Sequence, residues 1–233
     1  MAYSPSTAYG FLMLIGIGVT LVFWSRLARR DDRLLLIYIA GLTGAFLGAK
    51  IVYLSAEGWL FLGVPDRWMI WATGKSILGA LLGGYGAVEI AKKCTGYQGV
   101  TGDWFAMIVP IGVMIGRIGC LLHGCCTGRK CRTSWYTMRD TFGVPRWPAV
   151  PVEMIFNALM IALFFGLRRT RKLSGQHFHL YLIGYGLFRF AHEFMRETPR
   201  VAGVFSGYQI ASLAVVALGV VGFVRRARLP RCI

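Results

Sequence analysis

Apolar runs of roughly 18 or more residues recur along the whole chain, and each can cross a hydrocarbon layer of about 30 Å. No other feature constrains the fold as strongly. Inside lipid every backbone amide must be satisfied within its own segment, so such runs fold as helices. The 233 residues are 56% hydrophobic, yet the formal net charge is +16. A soluble domain of this length would carry more charged residues and fewer apolar runs. The expectation is an all-α polytopic membrane protein of about seven transmembrane helices, forming one domain over residues 1–233.

Hydropathy predicts helices at 8–28, 34–55, 69–91, 103–123, 150–167, 178–196 and 206–224. The third is diluted by Gly74, Gly79, Gly83, Gly84 and Gly86. Met1 to Thr7 has no basic residue, and Arg26, Arg29 and Arg30 follow the first apolar run. That order is the reverse of a cleavable signal peptide, so the first run is expected to be retained. The basic residues are not gathered on one soluble face, which argues against a nucleic-acid partner.

The basic clusters predict an orientation. Arg26, Arg29, Arg30 and Arg33 follow the first helix, and Lys92 and Lys93 the third. Arg168, Arg169, Arg171 and Lys172 follow the fifth, and Arg225, Arg226, Arg228 and Arg231 the seventh. The positive-inside rule places these clusters in the cytoplasm, with the N-terminus outside and the C-terminus inside. The short extracytoplasmic loop at 124–149 breaks the rule with Arg129, Lys130, Arg132, Arg139 and Arg146 against Asp140. It either rests on anionic headgroups or forms an electropositive rim that collects an anionic lipid.

Small residues recur at spacing four, in Gly44 and Gly48, Gly79 and Gly83, and Gly112 and Gly116. This is the close-packing signature of membrane helices.

Four basic residues fall inside predicted helices and away from their ends: Lys50, Lys75, Arg117 and Arg189. A charge at the bilayer centre costs at least about 2.5–3.5 kcal/mol, so it faces a cavity or a partner. Lys75 could snorkel, and Lys50 could pair with a nearby acid. Arg117 and Arg189 lie about six and seven residues before the outer ends of the fourth and sixth helices. Two planar guanidiniums at one depth suit a phosphate, which each can bind through two donors. The competing reading is structural ion pairing, for example Arg189 with Glu193.

Around Arg117 the sequence runs Gly116-Arg117-Ile118-Gly119-Cys120-Leu121-Leu122-His123-Gly124-Cys125-Cys126. Spacing three puts Arg117, Cys120 and His123 on one face. A cation and an imidazole beside a thiol favour the thiolate, making Cys120 and His123 a candidate nucleophile and base. Three other readings stay open: apolar filler, a disulfide, or a soft-metal site among Cys120, His123, Cys125, Cys126 and Cys131. Their spacing matches no standard zinc pattern. Cys94 and Cys232 are expected to be free cytoplasmic thiols. Tyr185, Arg189, His192, Glu193 and Arg196, with Glu153, add polar groups to the outer half, where a water-accessible pocket is expected.

These residues resemble the bacterial prolipoprotein diacylglyceryl transferase family. Gly44-Ala45-Phe46-Leu47-Gly48 looks like its second-helix motif, and Asp103, Pro110 and Gly112 lead into Gly116-Arg117-Ile118-Gly119, which resembles the start of its signature. Pro148 and Glu153 fit the motif before the fifth helix. Leu182-Ile183-Gly184-Tyr185-Gly186-Leu187-Phe188-Arg189-Phe190 with Glu193-Phe194-Met195-Arg196 is the closest match, and Gly207-Tyr208-Gln209-Ile210-Ala211-Ser212 resembles the last motif.

The resemblance implies a seven-helix enzyme of the bacterial cytoplasmic (inner) membrane. Such an enzyme moves the diacylglyceryl group of phosphatidylglycerol onto a lipoprotein thiol and releases glycerol phosphate. Arg117 and Arg189 would hold the lipid phosphate and act in catalysis, with Cys120, His123 and Cys125 as further candidate catalytic groups. Tyr185, Glu153, Glu193, Arg196, Gly116 and Gly119 would bind substrate. Leu78 stands where the family has a histidine, and Cys120, His123, Gly124 and Cys125 stand where it has Asn, then Asn-Gly-Glu. The acceptor thiol could be attached directly or after transfer through an enzyme cysteine. The alternative is a non-catalytic lipid- or metal-binding membrane protein. No cofactor and no resident metal are expected.

Overall fold

A computed structural model describes residues 7–29, 31–201, 203 and 205–228. Arg30, Arg231, Cys232 and residues 1–6, invoked above, lie outside the described residues. The helices are α1 (Thr7–Ala28), α2 (Arg33–Ala56), α3 (Arg67–Thr73), α4 (Ile77–Thr95), α5 (Gly102–His123), α6 (Ala149–Arg169), α7 (His177–Glu193) and α8 (Gly207–Arg228), with a 3-10 turn at Gly58–Phe61. Two antiparallel hairpins accompany them: β1 (Met138–Arg139) with β2 (Pro145–Arg146), and β3 (Arg200–Val201) with β4 (Phe205–Ser206). Among the described residues, four helices, α2, α5, α6 and α8, are long and apolar enough to cross a membrane. In α4, Glu89, Lys92 and Lys93 interrupt the apolar run, and α7 has 17 residues with ionisable groups toward both ends.

The third predicted helix is two helices. Gly74 takes an extended conformation (φ −64°, ψ 138°), and a Cβ there would stand 2.1 Å from the Tyr53 ring. Ser76 then caps α4, accepting from the Gly79 amide at 3.4 Å. Lys75 therefore sits in a break and not within a helix. Lys50 does not pair with an acid as expected. Its ammonium donates to the carbonyls of Trp71 (2.7 Å), Ala72 and Gly74 (2.8 Å). A helix end leaves such carbonyls orphaned, and a lysine beneath α3 satisfies them and its own charge together.

The glycine pairs divide. A Cβ on Gly48 would stand 2.3 Å from the Gly79 carbonyl oxygen, and one on Gly83 2.2 Å from that of Gly44. Here α2 and α4 press backbone on backbone. Gly112 and Gly116 do not pack helices, contrary to their spacing. A Cβ on either would meet nothing within 4 Å, and both line a cavity. Spacing alone cannot tell a helix face that meets a neighbour from one that meets open space.

The remaining helices set the two ends of the bundle. α5 packs on α1 and α6, and α7 on α8. At one end Asp103 accepts from the Gly175 amide at 2.7 Å, and Arg168 stacks on Trp104 at 3.7 Å. At the other end the C-termini of α5 and α7 meet the start of α6. A buried cluster with Tyr181, Leu182, Phe164 and Leu78 fills the space between, and Leu78 is 1% exposed within it.

Residues 124–149 are tied to that second end. The Arg129 amide donates to Met195 O at 2.9 Å, and the Gly128 amide to Trp147 O at 3.1 Å. Arg146 donates to Asp140 at 2.7 Å and also meets Glu197, so this basic residue is neutralised locally. Asp140 further accepts from the Phe142 and Val144 amides at 2.9 Å each. The hydrogen bond from Arg146 holds the Asp140 carboxyl below its ordinary value. A group depressed on folding stabilises above its unfolded pKa, about 3.9, and the effect is lost as pH falls through the folded value. The protection factor of the Val144 amide should therefore be flat from neutrality to about pH 4 and fall only in stronger acid. Loss of protection already at pH 6 would contradict this.

Candidate active site

Three helices carry the buried charges. α6 starts after Pro148, and its Glu153 is fully buried. Glu153 sits 2.7 Å from Nη2 of Arg117 on α5 and accepts from the Tyr185 hydroxyl on α7 at 2.7 Å. Asn157, one turn on, donates to the Glu153 carbonyl and accepts from Tyr181, both at 2.8 Å. Arg189 meets Glu193 at 2.6 Å, and Arg196 stands 3.8 Å from the same carboxylate. Ser206, at the end of β4, donates through Oγ to the Glu193 carboxylate at 3.4 Å and accepts from the Gln209 amide on α8 at 3.2 Å. The indole of Trp147 donates to Nε2 of His192 at 3.2 Å, locking the loop to α7.

Each arginine has a carboxylate partner, as the ion-pairing reading expects, and each also lines one cavity. Tyr185, Glu153 and Glu193 do not line it; they stand behind the arginines. A buried pair leaves part of the guanidinium fork unused. Arg117 Nε and Arg196 Nη1 are buried with no hydrogen-bond partner among the described residues. A buried donor without an acceptor is costly, and an anion arriving from the cavity would remove that cost.

The cavity has a volume of about 2120 Å³. That exceeds the roughly 300–1,000 Å³ of ordinary small-molecule pockets. It runs from Lys92 and Arg225 at one end to Arg117 and Arg196 at the other, between walls that include Phe46, Ile108 and Val113. Basic groups at the ends of a long apolar trough suit an anionic amphiphile. Gly116 lines it beside Arg117, whereas Gly119 is buried in α5.

The thiols gather at the Arg117 end. The sulfurs of Cys120, Cys125 and Cys126 lie within 4.8 Å of one another, and Arg117 Nη1 is 3.8 Å from Cys120 Sγ. His123 lines the cavity but lies outside the trio, as does Cys131. Cys94 is a free, exposed thiol. Sequence reading missed Glu57, which lines the cavity after α2 near Tyr208. Its only signal was an acid placed directly after a 24-residue apolar helix.

The sequence profile of prolipoprotein diacylglyceryl transferase matches residues 4–225. The chain belongs to this family. Proteins named phosphatidylglycerol–prolipoprotein diacylglyceryl transferase resemble it along most of its length. The protein of Pseudoalteromonas atlantica is 34% identical over 213 residues, covering 85% of this chain and 74% of that one. That of Vibrio atlanticus is 33% identical over 231 residues, covering 91% and 83%. That of Clostridium tetani is 26% identical over 228 residues, covering 92% and 91%. No solved structure matches the chain. For a diacylglyceryl transferase, Gly116 is the cavity position most open to test. Gly116→Leu would project into the trough beside Arg117 from a position where a Cβ meets nothing within 4 Å. Transfer should fall at least about tenfold, equivalent to about 1.4 kcal/mol. Thermal stability should hold or rise, because glycine costs a helix about 1 kcal/mol relative to a good helix former. Unchanged transfer would place the lipid elsewhere.

Proposed function

We propose that the chain moves the diacylglyceryl group of phosphatidylglycerol onto the cysteine thiol of a lipoprotein precursor. The observation that carries this is the presence of Arg117 and Arg189 on one large, mostly apolar cavity, each already oriented by a buried carboxylate. The phosphodiester sits between the two guanidiniums, with Arg196 completing the rim and the acyl chains in the trough. The acceptor sulfur attacks the glyceryl carbon bonded to the phosphate oxygen. That carbon–oxygen bond breaks, and its electron pair leaves with glycerol phosphate. Charge that grows on the departing phosphate is met by fixed donors, which need no reorganisation. Tyr185, Glu153 and Glu193 act by positioning the arginines. The transfer is direct, so no enzyme thiol is consumed.

The topology that fits this reading has seven spans, α1, α2 and α4 to α8, in a single domain over residues 1–233. The N-terminus is outside, and the C-terminus with its arginines is cytoplasmic. The loop at 124–149 and the Arg117 end of the cavity then face outward in the bacterial inner membrane. Exposed Arg129, Lys130, Arg132 and Arg139 form the rim that gathers anionic lipid. Native mass spectrometry of the chain released from mixed vesicles tests the clamp. Phosphatidylglycerol should be retained over phosphatidylethanolamine, and Arg189→Ala should abolish the preference. Equal retention of both lipids in the wild type would contradict it.

A further inference from the structure

Three thiols meet beside Arg117 of the proposed phosphate clamp, and the direct transfer proposed above uses none of them. A local backbone turn brings them together. α5 closes with the Gly124 amide donating to Leu121 O at 3.2 Å and the Cys125 amide to Cys120 O at 3.1 Å. Gly124 is left-handed at φ 67°. This paired bonding is the Schellman closure of a helix, and it folds the following residues back over the last turn. Cys126 is itself left-handed at φ 60°, a conformation that costs a non-glycine residue roughly 1–2 kcal/mol. The result is that all three sulfurs lie within 4.8 Å of one another and line the cavity. Their spacing in sequence fits no standard zinc pattern, because the turn, and not the spacing, brings them together.

The dimensions suit one ion. With a metal–sulfur bond of about 2.3 Å, three sulfurs stand about 4.0 Å apart in a trigonal ring and about 3.8 Å apart on a tetrahedron. The trio needs to contract by less than about 1 Å. Thiolates select soft or borderline ions. Three protein ligands with an open fourth place are the arrangement of a reactive zinc site, whereas four mark a structural one. Three thiolates around a dication leave one negative charge. Arg117 stands 3.8 Å from Cys120 Sγ, and Arg196 lies within electrostatic reach of Cys126.

We propose that Cys120, Cys125 and Cys126 hold a zinc ion whose open position takes the acceptor cysteine as a thiolate, beside the phosphate clamp. The inference rests on the transfer reading for what the ion does, but not for whether it binds. Zinc loading releases the protons of the three thiols to water, and acceptor binding releases a fourth. A bound thiol is deprotonated outright. Its sulfur lone pair forms the bond to the glyceryl carbon, and the carbon–oxygen bond electrons leave on glycerol phosphate. The thioether product is neutral and a weak ligand, so it departs.

The full chain, purified in lipid nanodiscs under reducing conditions, should carry about one zinc per chain. Cys126→Ser and Cys120→Ser should each lose it, while still retaining phosphatidylglycerol. Cobalt added to stripped protein should give a thiolate-to-metal absorption band that shifts when a cysteine peptide is added. A free thiol of pKa about 8.5 is about 3% ionised at pH 7 and about three-quarters ionised at pH 9. Stripping the metal should therefore slow transfer about 30-fold at pH 7 and less than about twofold at pH 9. Wild-type protein that takes up neither zinc nor cobalt, carries copper instead, or joins two of the trio in a disulfide overturns the inference. Transfer unaffected by stripping at pH 7 also overturns it, and leaves the transfer reading standing. A cobalt band that shifts with the peptide, without lipid turnover, supports the metal site and sinks the transfer reading instead.

Discussion

Arg117→Ala should fold poorly and transfer almost nothing, while Arg117→Ala combined with Glu153→Gln should fold and still transfer almost nothing. The reason lies in two roles of one guanidinium. Glu153 is fully buried, and Arg117 at 2.7 Å is its charged partner, with Tyr185 supplying one hydrogen bond. Removing one member of a buried pair costs about 3–5 kcal/mol, because a lone charge is left out of water. Glutamine in place of Glu153 removes that charge and can still accept from Tyr185, so most of the stability should return. The phosphate donors do not return. Losing one donor aimed at a developing negative charge costs about 10²–10³ in rate, or about 2.7–4 kcal/mol. Arg117→Lys should keep the fold, yet lose much of the rate, since an ammonium cannot serve Glu153 and a phosphate with one rigid fork. Recovery of transfer in the double variant would assign Arg117 a structural role alone.

The second large effect lies far from the chemistry. Gly79→Ala should destabilise the chain by about 3 kcal/mol, the upper end of ordinary overpacking costs. The new Cβ would stand 2.1 Å from the Gly48 carbonyl oxygen and 2.8 Å from Val52 Cβ. Neither the α2 backbone nor a branched Cβ can rotate away. Gly86→Ala, in the same helix, would meet nothing within 4 Å and should be neutral or stabilising by up to about 1 kcal/mol. Melting temperatures of both variants in one detergent, beside the wild type, check the pair. A loss in Gly86→Ala as large as in Gly79→Ala would mean that helix propensity, and not contact, governs α4.

The contrast between these glycines marks what is legible in a sequence of this kind. Apolar runs announce helices because lipid demands them, and the ends of α1, α2, α5 and α6 fall within about two residues of expectation, the usual uncertainty of such boundaries. The break at Gly74 was not legible, because it depends on Tyr53 and on Lys50, a helix away. The depth of Arg117 and Arg189 could be counted along their helices, and so their meeting at one cavity could be expected. The carboxylate behind Arg117 could not be assigned, since Glu153 lies on another helix and only packing selects it. Gly112 and Gly116 carry the same spacing as Gly79 and Gly83, yet face the trough. The thiol trio depends on two left-handed residues, Gly124 and Cys126. Residue spacing carries no record of that turn.

The most direct measurement is a transfer assay on the purified chain in phosphatidylglycerol vesicles, with a peptide bearing one cysteine as acceptor. The expected result is a peptide heavier by one diacylglyceryl group, through a thioether, with one glycerol phosphate released per peptide modified, and neither product with Arg117→Ala or Arg189→Ala. Phosphatidylglycerol left unconsumed by well-folded wild-type chain, or released glycerol phosphate with an unmodified peptide, would contradict the account.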